Sequence, residues 1–305
     1  MEITPVHALN LTGVLFTSKR IIRANYFHFL SLSLFFLPLS VSLIITPYFH
    51  YSGHHFPVDL FNNFPQNHKA VSSHLLYILF IYISTLCAIA TISYSTYHGF
   101  EGKHVSFFTA LKSLTSSIFP IIATAIVAHA LLFLISLTFL LFVGVVFTSG
   151  QSLGFVIDYN SIHFTLFSVV VVATLISVII YFHLNWSLAF VIVVAESKWG
   201  LAPLIRSSYL IKGMRSVSFL LLLYFGIFSG IFVWLFLCGY FPMLGSFFLM
   251  LMFLRSTASN TVLYMYCKAL HGELALEIDE GFDHHYINLP SDEEKVPQIV
   301  SVVAA

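Results

Sequence analysis

Arg255 is the side chain whose chemistry stands furthest from its surroundings. It follows a run of Phe, Leu and Met and precedes Ser256, Thr257, Ser259 and Asn260. A guanidinium at mid-membrane depth is expensive and normally faces protein, water or a partner group. Three readings stay open for it. It contacts an anion or lipid headgroup on a substrate path, it makes a fold contact to a carbonyl, a serine or a distant acid, or its helix is shifted so that it lies nearer an interface. No acidic residue falls mid-span elsewhere, because Glu101 and Glu196 stand at the ends of apolar runs. Ser256, Ser259 and Asn260 lie within about a helical turn of Arg255 or little more and complete a candidate polar intramembrane site. The plainer role for such residues is to hold membrane helices together.

Other chemistry-bearing residues form no recognisable constellation. His129 and His183 sit in apolar runs, and an imidazole pair can bind metal or relay protons. Neither has an Asp, Glu or Cys three or four positions away, so packed histidines are the plainer reading. His54-His55 and Asp283-His284-His285 lack the His-Glu-x-x-His helical arrangement of a hydrolytic zinc site. Cys87, Cys238 and Cys267 each lie in or beside an apolar run, with neither disulfide-framework nor metal-ligand spacing. There is no glycine-rich phosphate loop and no nucleophile elbow. No catalytic residue, metal or cofactor is therefore expected, and an enzyme ranks third among the functional readings.

The elements that must position these residues follow from composition. Of 305 residues, 58% are hydrophobic and only 9% charged, and the mean hydropathy is +0.92. So few charges cannot clothe a water-facing surface of this size, and the excess apolar area must face lipid. Equal numbers of basic and acidic residues, 13 of each, argue against a nucleic-acid partner. Apolar runs at about 26–48, 71–97, 117–147, 162–195, 216–238 and 243–270 predict six transmembrane helices in an all-α polytopic bundle. Pro38 should kink the first. Pro120 falls near the expected start of the third, where proline is tolerated. Residues 9–24 carry Leu11, Leu15 and Ile22 beside Lys19, Arg20 and Arg23, the pattern of an interfacial helix, although Gly13 weakens it. A second interfacial helix is expected within 196–215, with Trp199 and Leu204 as anchors. Gly239–Pro242 predicts a tight uncharged turn, and Gly226-x-x-x-Gly230 matches a helix-packing pattern best assigned to packing within the chain.

Charge sets the expected orientation. With the N-terminus inside, the inner segments hold Lys19, Arg20, Arg23, Lys103, Lys112, Lys198, Arg206, Lys212, Arg215, Lys268 and Lys295, whereas the outer ones hold only Lys69. Eleven against one is a strong positive-inside bias and predicts both termini in the cytoplasm. The sequons at Asn10 and Asn185 then fall on the inner side and within a span, so neither is expected to carry glycan. The implied organisation is a cytoplasmic segment at 1–25, a six-helix domain at 26–270 and a polar tail at 271–305 with eight acidic side chains, much of it expected to be disordered. The weakest joint is the split between the fifth and sixth helices.

Several motifs together resemble a family of uncharacterised plant integral membrane proteins with six predicted spans, itself remotely similar to a prokaryotic membrane-protein group. They begin with Leu11–Phe16, Pro38-Leu39-Ser40 and the Tyr97–Phe107 segment. The most distinctive stretch has Asn185-Trp186, Val194-Ala195-Glu196-Ser197, Gly200-Leu201, Ser207-Ser208 and Ile211-Lys212-Gly213. Val262-Leu263-Tyr264, Cys267-Lys268 and His271 close the match, with Ala269 where the family often has a small polar residue. The resemblance implies architecture but no activity, substrate or catalytic residue.

The leading expectation is a membrane scaffold or trafficking-type protein of the secretory pathway (endoplasmic reticulum or Golgi) or plasma membrane. Glu196, Lys198, Arg206, Lys212, Arg215 and Lys268 are its candidate cytoplasmic-face contacts to protein partners or membrane lipid. The alternative is a transporter or channel for a small solute or lipid, which Arg255 motivates. A continuous polar cavity reaching Arg255 would favour the second, a dry, tightly packed interior the first. The sequence leaves the oligomeric state open.

Overall fold

The computed structural model describes residues 10–51, 68–103, 105–152, 162–237 and 242–273. The regular elements among them are all helical, and the chain divides into two units, Met1–Cys267 and Lys268–Ala305. Six stretches are long and apolar enough to cross a membrane: Tyr26–Ile44, Leu75–Phe100, Phe107–Gly150, Phe164–Glu196, Arg215–Phe236 and Met243–Leu270. Residues 1–9, most of the 49–70 loop including both histidines of His54-His55, residues 153–161, Cys238 with most of the Gly239–Pro242 turn, and the tail from 274 with its Asp283-His284-His285 and Lys295 lie outside the described residues.

The first helix, α1 (Leu11–Ala24), is capped by Asn10, whose side chain accepts from the Gly13 amide at 2.9 Å. That cap offsets the helix-weakening effect of Gly13. Val14, Thr17, Ser18, Ile21 and Ile22 turn inward, while Lys19, Arg20 and Arg23 are exposed. The first membrane-length stretch is α2 (Tyr26–Ser33), a 3-10 turn (Leu34–Phe36) and α3 (Leu37–Tyr51). Pro38 has no N–H for the Leu34 carbonyl, and the Leu37 amide donates to that carbonyl instead. The α-helix is thus interrupted by a 3-10 turn just before the proline.

The second stretch is α4 (His68–Phe100) and the third α5 (Phe107–Ser152). The third helix starts ten residues before the expected 117, because the Ser106 hydroxyl accepts from the Thr109 amide at 3.3 Å and caps it there. Pro120 consequently lies inside the helix rather than near its start. At ~1.5 Å per residue α5 is about 69 Å long, roughly twice a hydrocarbon core.

The fourth stretch departs most from expectation. The single helix predicted over 162–195 is α6 (Ile162–Asn185), a turn at 186–188, and α7 (Ala189–Glu196). Then follow α8 (Ala202–Leu210), α9 (Arg215–Leu237) and α10 (Pro242–Leu270), whose end from Lys268 belongs to the second unit. The fifth and sixth membrane-length helices are therefore separate. The end of one and the start of the next pack tightly: a Cβ on Gly245 would lie 2.5 Å from the Phe236 ring, and Phe232 stacks on Phe248 at 5.8 Å.

The core sits around α7. Val193 packs on Leu86 and Ala90 of α4 and on Ile121 and Ala125 of α5. Leu204, expected as an interfacial anchor, is buried with Ala128 and Ala189, because α8 folds back against α5 and α7; Trp199 is exposed. Several contacts gather at one end of the first unit. A Cβ on Gly99 would meet Ile21 at 2.9 Å, the Phe100 and Tyr266 rings are 6.2 Å apart, and the Thr17 and Tyr266 hydroxyls lie 2.8 Å apart. Far from that end the surface is apolar, with Phe133, Leu140, Phe142, Val169 and Ile176 all exposed. In the second unit the helix stops at Gly272, whose φ of +74° is accessible to glycine at low cost.

Candidate functional site

Two arrangements carry polar chemistry inside the first unit, and the break after α6 separates them. At the break, the Asn185 carbonyl and the Leu188 amide lack backbone partners among the described residues, which would be costly among apolar side chains. Ser207 of α8 supplies both. Its hydroxyl donates to the Asn185 carbonyl at 2.6 Å and accepts from the Leu188 amide at 3.2 Å. The Asn185 side-chain amide donates to the Tyr181 carbonyl at 2.8 Å, while its buried Oδ1 has no partner among the described residues. The turn thereby lets α7 enter the core at a new angle and lets α8 return beside it.

Glu196, at the end of α7, is the first arrangement. Its carboxylate is only 14% exposed and accepts from Lys198 Nζ at 2.7 Å, Arg206 Nε at 3.5 Å and the Tyr264 hydroxyl at 3.0 Å. The fully buried Tyr264 thus ties the middle of the cationic segment to α10. Ser197 follows at φ +52° and Gly200 at +71°, left-handed positions that turn the chain sharply. The turn is fixed where the Gly200 amide donates to the Thr124 hydroxyl at 3.0 Å. Arg206 and Lys212 both approach the Tyr209 ring, each 5.8 Å from its centroid. This is a positioned charge cluster that groups one carboxylate with three cations, so it stays net positive.

The second arrangement is a partly open cavity of about 230 Å³ lined by α6, α9 and α10. From α6 and its terminal turn come His183, Leu184 and Ser187. Ser218, Leu221, Leu222, Phe225, Gly226 and Ser229 form one face of α9, spaced as a helix requires. Phe253, Ser256 and Asn260 come from α10. The Ser187 and Ser218 hydroxyls pair at 3.3 Å. His183, Ser229, Ser256 and Asn260 hydrogen-bond to no described residue. Four polar side chains left open toward one space among apolar helices are matched to water or a ligand.

The candidate intramembrane residues are divided by helix geometry. At ~100° per residue, Ser256 and Asn260 share the cavity face of α10, whereas Arg255 and Ser259 lie on another face, roughly 130° and 90° from its centre. Ser259 is buried and pairs with Ser18 of α1 at 3.0 Å. Arg255 is half-buried, does not line the cavity and makes no ion pair with a described residue. Among the candidate cytoplasmic-face residues, Glu196, Lys198 and Arg206 come together, and Lys212 joins them through Tyr209. Arg215 is exposed at the start of α9, and Lys268 belongs to the second unit. The two span histidines do not meet: His129 Nδ1 lies 2.6 Å from the Ala125 carbonyl and 3.4 Å from the Tyr82 hydroxyl, and His183 faces the cavity.

Sequence reasoning missed the α9 wall. Its signal was present as the spacing of Ser218, Leu222, Phe225 and Ser229, a small-polar stripe on an apolar helix. Gly226 and Gly230 were assigned to packing within the chain, but a Cβ at either meets nothing within 4 Å.

Outside the membrane-length segments, Glu101 closes the turn between α4 and α5. It accepts from Lys103 Nζ at 2.9 Å and His98 Nδ1 at 3.3 Å. Partial burial pushes its carboxyl up, and these two partners outweigh that, holding it below the ordinary carboxylate value.

A bundle with six membrane-length helices and a partly open cavity carrying polar groups belongs to the class of polytopic helical proteins. The chain is a member of the DUF8558 family, a domain of unknown function, whose model matches residues 65–282. That match covers α4 to α10 and leaves α1 to α3 outside it. No curated protein and no solved structure matches the chain.

Proposed function

We propose that the protein is a six-span carrier or transporter that takes a small solute or lipid into its helix bundle. The observation behind this reading is the cavity between α6, α9 and α10, with four polar side chains from three helices left open toward it. Proteoliposome flux across a panel of solutes and lipids tests it. Flux above empty vesicles, reduced at least fivefold by Asn260→Leu, is expected. Background flux across the whole panel rejects the carrier.

The same reading places both termini in the cytoplasm of a secretory-pathway or plasma membrane. The clustering of α1, the α4–α5 turn and the Glu196 region at one end supports this orientation, because the basic residues gather there. Glycosylation acceptors inserted in 148–161 and 239–242 should be modified, and those in 98–116 and 196–215 should not. The reverse pattern rejects the orientation. We also assign the chain to the uncharacterised plant membrane proteins that its motifs resemble. Asn185-Trp186 and Ser207 falling together at the helix break supports this assignment.

A scaffold or trafficking role is the second reading. It is favoured by the exposed Trp199, Leu201, Ile205 and Tyr209 beside Lys198 and Lys212, a surface suited to a protein partner or a lipid headgroup layer. Reproducible neighbours in proximity labelling, lost on substituting Ile205 and Tyr209, are its expected signature.

A further inference from the structure

We propose that the cavity between α6, α9 and α10 receives the uncharged, hydroxyl-bearing head of a membrane amphiphile laterally from the bilayer, as a neutral glycerolipid would present it. This deepens the carrier reading and rests on it for the cavity's purpose, but it makes a separate claim about what is bound.

The polar inventory selects the head. Among the described residues, no Asp, Glu, Lys or Arg lines the cavity. A phosphate or carboxylate would want donors alone, with a compensating cation, and an ammonium would want acceptors alone. The wall offers both in balance. Asn260 brings an amide oxygen and an NH2 group, His183 a ring N–H and a ring nitrogen, and Ser229 and Ser256 one hydroxyl each. One of Ser187 and Ser218 must donate to the other, which leaves a single hydroxyl proton and spare lone pairs from the pair. Groups that donate and accept together match hydroxyls.

Size and opening select the rest of the ligand. About 230 Å³ lies below the ~300–1,000 Å³ of sites that enclose a drug-sized molecule. A hydroxylated head fits this space and a whole lipid does not. His183 and Gly226 line the cavity and are themselves exposed, on helices of membrane length, so the mouth opens sideways. A Cβ at Gly226 would have nothing within 4 Å, so open space lies beside it. Acyl chains can leave through this gap and remain in hydrocarbon. Arg255, the feature that would attract a phosphate, stands on another face of α10.

Photo-crosslinking of the full-length protein in vesicles tests the assignment. The probes are diazirine-bearing diacylglycerol, phosphatidic acid of the same chains, and a water-soluble diazirine polyol. Diacylglycerol should label α9 and α10 at least fivefold above phosphatidic acid and the polyol. Gly226→Leu places a side chain at the mouth, where its Cβ meets nothing within 4 Å, and Asn260→Leu removes the amide; each should cut labelling at least fivefold. Arg255→Ala should leave it within twofold. The Gly226→Leu protein should melt within a few degrees of wild type, so that lost labelling reports the mouth rather than the fold. Preferential phosphatidic acid labelling, preferential polyol labelling, or diacylglycerol labelling unchanged in both leucine variants overturns the proposal. Neutral-lipid labelling at the cavity in a protein without flux sustains this inference while rejecting the carrier. Flux of a solute without such labelling does the opposite.

Discussion

The Ser207 hydroxyl donates to the Asn185 carbonyl across 2.6 Å, joining the end of one membrane-length helix to a short helix 22 positions later in sequence. The same oxygen accepts from Leu188, so one side chain satisfies both lips of a helix break in an apolar setting. Ser207→Ala leaves a buried carbonyl and a buried amide open. It should cost about 1–3 kcal/mol, read as a lower thermal midpoint in detergent. A midpoint equal to wild type would show that water replaces the hydroxyl there.

Glu196 and Tyr264 should be energetically coupled. A double-mutant cycle of Glu196→Gln and Tyr264→Phe should return about 1–2 kcal/mol, since the phenol donates to a largely buried carboxylate. Glu196→Gln also strips the counter-charge from Arg206 and Lys198 and should be the more harmful single change. Coupling near zero would reduce the cluster to independent surface pairs.

Two glycines make opposite predictions. Gly245→Ala drives a methyl into the base of the Phe236 ring and should destabilise by about 1–3 kcal/mol. Gly230→Ala meets open space within α9 and should be neutral or stabilising by up to ~1 kcal/mol. Thermal midpoints of the two purified variants check both signs.

Glu101 supplies a pH dependence. Its folded carboxyl lies below the ordinary value because Lys103 and His98 hold it against partial burial. Its contribution is therefore full above the unfolded value near pH 4 and is lost as pH falls through the folded value. Solvent screening at this half-exposed turn keeps it under ~1 kcal/mol. Glu101→Gln should melt slightly below wild type at pH 7 and converge with it below about pH 4. A difference that grows on acidification would contradict the assignment.

The six membrane-length helices were legible because hydrophobicity is a local property. Twenty apolar residues need hydrocarbon wherever their neighbours lie. The interruption of the first stretch beside Pro38 and the polar identity of Ser256 and Asn260 were legible for the same reason. The helix break after Asn185 was not: residues 162–195 read as one apolar run, and the partner that stabilises the break, Ser207, arrives from a later helix. The extended start of α5 hung on a cap at Ser106 in a stretch read as linker.

The candidate site shows the same division. Sequence placed Arg255, Ser256, Ser259 and Asn260 together because they are close along the chain. Helical rotation then sent Ser259 to Ser18, kept Ser256 and Asn260 at the cavity, and turned Arg255 away from it. Ser187 and Ser218 joined the site from 31 positions apart. Composition by itself determined that the chain builds membrane-length helices, since transfer of apolar surface depends on residue type alone. Only the tertiary structure decided which polar groups share a space, because that depends on the angle at which each helix presents its faces to its neighbours.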